Sequence, residues 1–419
     1  MPPRPLRPAL LVALAVAATL PACTQTDASA ADTTTTTTTR SSEPARLTRT
    51  GSSYDVPSPL PTAPPGSVIA ATRARSTDAF PSATRREVLY HSTDFAGNDV
   101  AVSGTLLVPD RTPPAGGWPV ISWAHGTSGV ADVCAPSTTD NLFYNEYAQQ
   151  VRGFLAAGYA VAASDYVGLG TPGVHSYSIG VDLGNAVADI VAAARRLDSH
   201  LSSTWFAVGH SEGGQAVLFA TRSAARHPDL RLAATVAIAP SSHLELALPY
   251  IAAGGLPADV AYGLYLLAGL GRVDPSVDIT KLVGSGGRSV VDRVTTSDCL
   301  LDTLADLKDV PPTDVLALPA DTMTSLSALL EKYGDPDHEP TVGPLLIVQG
   351  ETDHDIPAAV TKLMADHLVA LGSDATYREY PGMDHDRVLG PSMCETLAWM
   401  TEHGGPAATS CVAEPTDMS

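Results

Sequence analysis

Ser211, His385 and an aspartate near position 353 are the residues of this chain whose types and order could carry out acyl chemistry. Ser211 stands in Trp205-Phe-Ala-Val-Gly-His-Ser-Glu-Gly-Gly214, where a short apolar run stops at Gly209 and Ala216-Val-Leu-Phe-Ala220 begins a helix-like pattern. G-x-S-x-G between a strand and a helix marks a turn so tight that the serine is strained, and glycines two before and two after relieve the crowding. A serine hydroxyl is a poor nucleophile at neutral pH unless a base takes its proton as it attacks; the base is usually a histidine oriented by a carboxylate. Both follow in the chain. After Leu345-Leu-Ile-Val348 comes Gln349-Gly-Glu-Thr-Asp353-His-Asp355-Ile-Pro357, in which Asp353 and Asp355 both qualify as the acid. After Thr376 to Tyr380 comes Pro381-Gly-Met-Asp-His385, and a histidine in a glycine-containing loop can swing over the sheet edge towards Ser211. His210 is expected to pack beside the elbow, and His354 to be solvated or part of a pocket wall.

Attack on a carbonyl builds negative charge on its oxygen, which two backbone N–H groups must meet. Glu212, directly after the serine, supplies one. The loop Trp123-Ala-His-Gly-Thr127-Ser-Gly129 is expected to supply the other from Thr127. Asp165-Tyr-Val-Gly-Leu-Gly170 contains a G-x-G, but the dinucleotide pattern is incomplete, so a structural turn is expected with Tyr166 lining the pocket entrance. The cysteine and histidine spacings fit no zinc site. Neither a metal nor an organic cofactor is expected.

These side chains need a rigid frame. Short apolar runs at 87–90, 101–108, 119–123, 159–163, 206–208, 234–239, 345–348 and 376–380 read as strands. Stretches of helical length at 142–157, 180–197, 215–226 and 358–371 lie between many of them. That alternation predicts an α/β fold, a mostly parallel central sheet covered by helices on both faces. The first two strands have no helix between them and are expected to pair as an antiparallel hairpin. The core is expected at 68–240 and 341–411. A helical cap at 241–340 interrupts it, placed over the carboxyl edge of the sheet where α/β enzymes bind ligands. Helices are expected near Leu244 to Ala253, Ala258 to Leu270 and Leu326 to Tyr333. Pro257, Asp259 and several glycines exclude a membrane span at 256–270. This stretch is either a packed cap helix or an acyl-contacting surface, with Tyr262 and Tyr265 as candidate pocket residues.

With 419 residues, 44% hydrophobic and 17% charged, the chain can bury a large core, and its net charge of -20 argues against nucleic acid as a partner. Arg4 and Arg7 before Ala9 to Ala18 read as a signal peptide over 1–22. Leu20-Pro-Ala-Cys23 resembles a bacterial lipobox, which would lipidate Cys23 and anchor the protein to the outer face of the cell membrane. Plain secretion after cleavage near Ala28-Ser-Ala30 is the alternative. Residues 23–67, including the threonine run 33–39, read as a disordered tether, and 412–419 as a flexible tail. Four further cysteines in an exported chain suggest two disulfides, with three pairings open. The spacing favours Cys394–Cys411 as a local loop and Cys134–Cys299 as a long-range link.

Taken together, Ala124 to Thr127, Asp165-Tyr-x-Gly-x-Gly170, Gly209 to Gly214, Gln349-Gly-x-x-Asp353 and Gly382-Met-Asp-His385 resemble the secretory lipase family of α/β-hydrolases, the capped group that includes fungal lipases. The resemblance spans roughly 68–411 and prefers Asp353 as the acid, leaving Asp355 to cap the helix near Pro357. It implies acyl-ester hydrolysis and two disulfides, one joining the oxyanion region to the cap, as Cys134–Cys299 would. The expected function is a monomeric, exported lipase or esterase acting on a small-molecule or lipid ester through an acyl-enzyme. Alternatives are acyl transfer or amide cleavage by the same triad, or a non-catalytic surface binder.

Overall fold

The computed structural model describes residues 44–51, 53–254, 259–407 and 411. The signal peptide, Cys23, the leader up to residue 43 and the tail from 412 lie outside them. The strands are β1 (Ala45–Arg46), β2 (Arg49–Thr50), β3 (Ser53–Tyr54), β4 (Val68–Ala71), β5 (Arg75–Thr77), β6 (Phe80–Thr93), β7 (Asp99–Pro109), β8 (Trp118–Ala124), β9 (Ala160–Ser164), β10 (Leu201–His210), β11 (Arg231–Ile238), β12 (Leu345–Gly350) and β13 (Ala375–Tyr380). All except β2 and β3 form one sheet, in which β1-β4-β6-β7-β9-β8-β10-β11-β12-β13 run side by side and β5 pairs with β6.

The strands from β9 to β13 are mutually parallel along this order. β6 and β7 form the expected antiparallel hairpin and reach residues 80–93 and 99–109, beyond the apolar runs that announced them. Helices α1 (Asn145–Ala157), α2 (Gly180–Leu197) and α3 (Glu212–Ser223) connect successive strands from β8 to β11. Side-chain alternation divides the core. Val120 and Ala124 of β8 belong to a cluster with Leu183, Val187 and Val191 of α2, whereas Ile121 and Trp123 belong to one with Val151 and Phe154 of α1. The sheet is therefore buried on both faces, which is why its strands read as continuous apolar runs.

β8 lies between β9 and β10, so the chain leaves β8 in one direction and returns past it. The loops after β8 and β10 consequently meet at the carboxyl edge where the winding reverses, the usual binding crevice of such sheets. Thr127 and Ser211 stand on those two loops.

Between β11 and β12 lie α4 (Leu244–Ala252), α5 (Asp259–Val273), α6 (Ile279–Leu282), α7 (Val291–Val294), α8 (Leu300–Leu307), α9 (Pro312–Val315) and α10 (Ala320–Gly334). They enclose a core of their own, in which Leu248, Leu264, Leu267, Leu326 and Leu330 pack with Val130, Tyr177 and Ile179 from the sheet side. α5 is thus a packed helix, with Tyr262 and Leu266 turned to a cavity. Among the described residues, no helix is long and apolar enough to cross a membrane. α11 (Ala358–Ala370) and α12 (Leu389–Glu402) complete the chain; α12 carried no clear sequence signal.

The tether boundary differs from expectation. Residues 44–67 lack an apolar run, but Leu47 and Tyr54 are buried and β1 pairs with β4. Tyr54 N–H donates to the Gly170 carbonyl at 2.8 Å, and its hydroxyl meets Ser137 Oγ at 2.7 Å. Isolated anchors with satisfied polar groups hold a segment whose composition alone suggests a tether. Both disulfides form as expected, Cys134–Cys299 and Cys394–Cys411. The first ties the loop after β8 to the start of α8 in the cap, beside an antiparallel bridge between Gly129 and Cys299.

Candidate active site

Ser211 sits at φ +58° and ψ −121°, outside the regions favoured by a side chain. Its N–H donates to the Ile238 carbonyl at 2.9 Å, and its carbonyl accepts from Gln215 N–H and Ser241 N–H. The flanking glycines are a packing requirement: a Cβ on Gly213 would fall on the Ala124 carbonyl, and one on Gly209 on the backbone of Gly213. Glu212 is the first residue of α3, so the helix itself offers its N–H no acceptor. This leaves an amide without an intrahelical acceptor directly beside Ser211.

Asp353 and His385 come together from the loops after β12 and β13. His385 Nδ1 lies 2.8 Å from Asp353 Oδ2. The other Asp353 oxygen accepts from the N–H groups of Asp355 (2.9 Å) and Ile356 (2.8 Å). Gln349 Nε2 donates to Oδ2 at 2.8 Å, and Gln349 Oε1 accepts from the Thr361 hydroxyl at 2.8 Å. Burial opposes the Asp353 charge, but the adjacent His385 and these donors outweigh it and lower the pKa. Burial likewise opposes imidazolium at His385, whereas the charges of Asp353, Asp355 and Asp386 raise it to about 9. Ser211 and His385 line the same two cavities.

The loop bearing Thr127 is held by four tyrosine hydroxyls. Tyr166 donates to the His125 carbonyl at 2.9 Å, and Tyr147 accepts from Gly126 N–H at 3.0 Å. Tyr144 donates to the Thr127 carbonyl at 3.0 Å, and Tyr177 meets Thr127 Oγ1 at 2.8 Å. With Gly126 N–H occupied by Tyr147, Thr127 is the next backbone donor along the loop.

Tyr147 also connects this loop, through His210, to His385. His210 Nε2 lies 2.9 Å from the His385 carbonyl, which can only accept, so Nε2 carries the proton. Nδ1 of neutral His210 therefore accepts the Tyr147 O–H, 3.0 Å away. Burial, then the neighbouring His385 charge, lowers His210 to about 4, which keeps it neutral. The sequence suggested packing for His210; only the fold shows that it joins the two loops. Buried Glu212 has a similar hidden partner, with Oε1 2.8 Å from His175 Nε2.

The remaining candidates divide. Tyr262 lines both cavities. Tyr166 is fully buried, stacked between His125 and His175, and therefore braces the loop instead of lining an entrance. Tyr265 is also fully buried, donating to the Thr303 hydroxyl at 2.9 Å inside the cap. Both were misplaced because an apolar ring in a loop or helix reads the same whether it faces a cavity or a core. Asp355 does not cap α11, whose start has no side-chain cap; it lines both cavities instead. His354 is a wall of the first cavity.

That first cavity, about 190 Å³, runs from Ser211 beneath the cap along Leu244, Ala247, Ile251, Leu266 and Val360. The second, about 360 Å³, opens on the other side past Tyr144, Glu146, Leu300 and Asp386. Ser211 lies where an apolar arm and a more polar arm meet.

A parallel sheet with a serine elbow, and with aspartate and histidine on the next strand ends, defines an α/β-hydrolase. Residues 143–390, more than half of the chain, match the family described as serine aminopeptidase, S33, and the protein belongs to that hydrolase family. It is 26% identical over 348 residues to a Mycobacterium tuberculosis protein named a probable inactive lipase, covering 76% of this chain and 73% of that one. Candida antarctica lipase A in its closed state has the same fold, with a TM-score of 0.70, 18% identity and coverage of 84% of this chain and 85% of that one. So has the rice cell wall degrading esterase LipA of Xanthomonas oryzae, with a TM-score of 0.64, 16% identity and coverage of 76% and 92%.

Proposed function

We propose that the protein is an exported serine carboxylic-ester hydrolase. Ser211 Oγ attacks the ester carbonyl while His385 Nε2 takes its proton, Nδ1–H remaining on Asp353. The oxyanion is met by the amides of Glu212 and Thr127. Imidazolium then protonates the leaving alcohol, and water, deprotonated by the same nitrogen, releases the acid. The observation that carries this reading is the position of Ser211 and His385 on one apolar cavity, with Asp353 bonded behind the histidine. The apolar arm suits the acyl chain and the second arm the alcohol.

The N-terminal signal and the two disulfides support export, with Cys23 as a membrane anchor or plain secretion as the alternative. Amide cleavage is a second reading, favoured by the description of the family and by Glu146, Asp355 and Asp386 along the second arm, which suit a cationic substrate group. Turnover of chromogenic acyl esters from acetyl to long chains, compared with aminoacyl anilides, tests the proposal. It is supported if esters are cleaved and Ser211→Ala abolishes this in a folded protein. Anilide turnover without ester turnover selects the second reading.

A further inference from the structure

Glu212 N–H and Thr127 N–H, the amides proposed to meet the oxyanion, stand on different loops, and the sheet does not set the distance between them. β8 and β10 pair only as far as Ala124 and Gly209, three residues before each donor. A donor must lie about 2.7–3.1 Å from the oxyanion, so the chain beyond the strands needs its own bracing. Tyr147 supplies one brace, joining Gly126 N–H to His210. The Glu212 side chain supplies another.

Glu212 Oε1 lies 2.8 Å from His175 Nε2, with the two side chains 1% and 0% exposed. Glu212 Oε2 has no hydrogen-bond partner among the described residues, so the carboxyl is held through His175. His175 belongs to the loop after β9, and its backbone N–H donates to the Val130 carbonyl at 3.0 Å, on the loop that carries Thr127. Its Nδ1 lies 2.9 Å from the Val167 carbonyl, an acceptor only, so Nδ1 carries a proton. Gly168 lets the loop fold back this closely: it stands at φ +84°, and a Cβ there would fall on the Val174 carbonyl. Two tyrosines lead on from His175. The Tyr166 ring stacks between His175 and His125, with centroids 5.7 and 4.4 Å away. Tyr177 meets His175 edge-on at 6.0 Å and reaches Thr127 Oγ1 with its hydroxyl. A 2.8 Å contact between nitrogen and oxygen needs a proton, so the Glu212–His175 pair is neutral overall whichever partner holds it. It adds no negative charge beside the oxyanion.

We propose that the Glu212 carboxyl and His175 are positioning residues that fix the spacing of the Glu212 and Thr127 amides around the oxyanion. The proposal rests on the ester-hydrolase reading. Neither residue lines the cavities that hold Ser211; the pair acts by bracing the first residue of α3 against the loop that carries Thr127.

The test compares variants of the full protein by kcat and KM for a chromogenic ester. It also reads the inhibition constant of an alkyl trifluoromethyl ketone, whose adduct with serine carries an oxyanion. E212A keeps the amide and removes the brace, and is expected to lower kcat about 10- to 100-fold, less than the loss of a whole donor. KM should hardly move, and ketone binding should weaken in step with kcat/KM. E212D, one methylene short of His175, should fall in the same way, and it decides the matter if E212A does not fold. E212Q should keep most of the wild-type kcat, because its amide N–H still reaches His175 Nε2. A merely structural role would lower the melting temperature and leave the ratio of the ketone inhibition constant to KM unchanged. An unchanged ratio in the folded variants, or E212Q as impaired as E212D, overturns the proposal. Wild-type protein that neither cleaves ester nor binds the ketone removes the hydrolase reading itself, and the positioning role with it.

Discussion

Replacing Asp353 with asparagine separates the two tasks this carboxylate performs. His385 is raised from the ordinary imidazole value of 6.5 to about 9. That difference corresponds to about 3 kcal/mol in favour of imidazolium, net of the burial that opposes it and of help from Asp355 and Asp386. Asparagine removes the charge. Its amide also offers an N–H to Nδ1, which favours the tautomer protonated on Nε2 and so blocks the nitrogen that must take the serine proton. Electrostatics and tautomer together predict a fall in kcat of about 10³ to 10⁴. The assay is kcat/KM for a chromogenic ester from pH 5 to 10, with folding checked by circular dichroism. Wild-type activity should rise with pH through an inflection near 9, since the base must be neutral. In Asp353→Asn the inflection should move down from about 9, because only Asp355 and Asp386 then oppose the burial that lowers the imidazole. A folded variant within tenfold of wild type, or with its inflection unmoved, would show that Asp353 does not control His385.

Stability should follow the same pair. The raised His385 contributes stability that is complete below 6.5 and lost as pH rises through about 9, and melting temperatures across that window should show a fall absent from Asp353→Asn. The lowered Asp353 acts in the opposite direction, its contribution being lost as pH falls below the ordinary carboxylate range. Tyr147→Phe leaves Gly126 N–H and His210 Nδ1 without partners and should cost about 1–3 kcal/mol in denaturant unfolding. It should also reduce kcat more than it raises KM, whereas unchanged kcat would disconnect the relay from the site. Leu266→Trp should fill the apolar arm and suppress long-chain esters while sparing acetyl ester; equal loss on both would remove this arm from acyl binding. Serine at both Cys134 and Cys299 opens a link between residues 165 apart and should cost about 2–5 kcal/mol, read from urea unfolding.

The sheet was legible because its strands are buried on both faces, so apolar runs such as Leu345 to Val348 and Phe206 to Val208 mark it directly. The placement of Ser211, Asp353 and His385 was legible for a related reason: in this topology they follow strand ends, and Gly209, Gly213 and Gly382 mark the turns. The bracing was not. Tyr144, Tyr147, Tyr166 and Tyr177 converge on three residues from separate segments, and only the fold brings their hydroxyls together. His210 resembled a packing residue because its partners lie on loops far away in sequence. Glu212 marked an amide, while its buried carboxyl and His175 gave no sequence signal. The segment 44–67 misled because two anchors, Leu47 and Tyr54, do what a run of apolar residues usually does.

A relative whose name includes the word inactive makes the reactivity of Ser211 the point on which the account depends. Treatment of the folded protein with a fluorophosphonate probe, followed by peptide mass analysis, measures that reactivity directly. One modified peptide is expected, carrying the probe on Ser211, with labelling abolished in Ser211→Ala and strongly reduced in Asp353→Asn. A folded protein that leaves Ser211 unlabelled, or that is labelled at another serine, would contradict this reading.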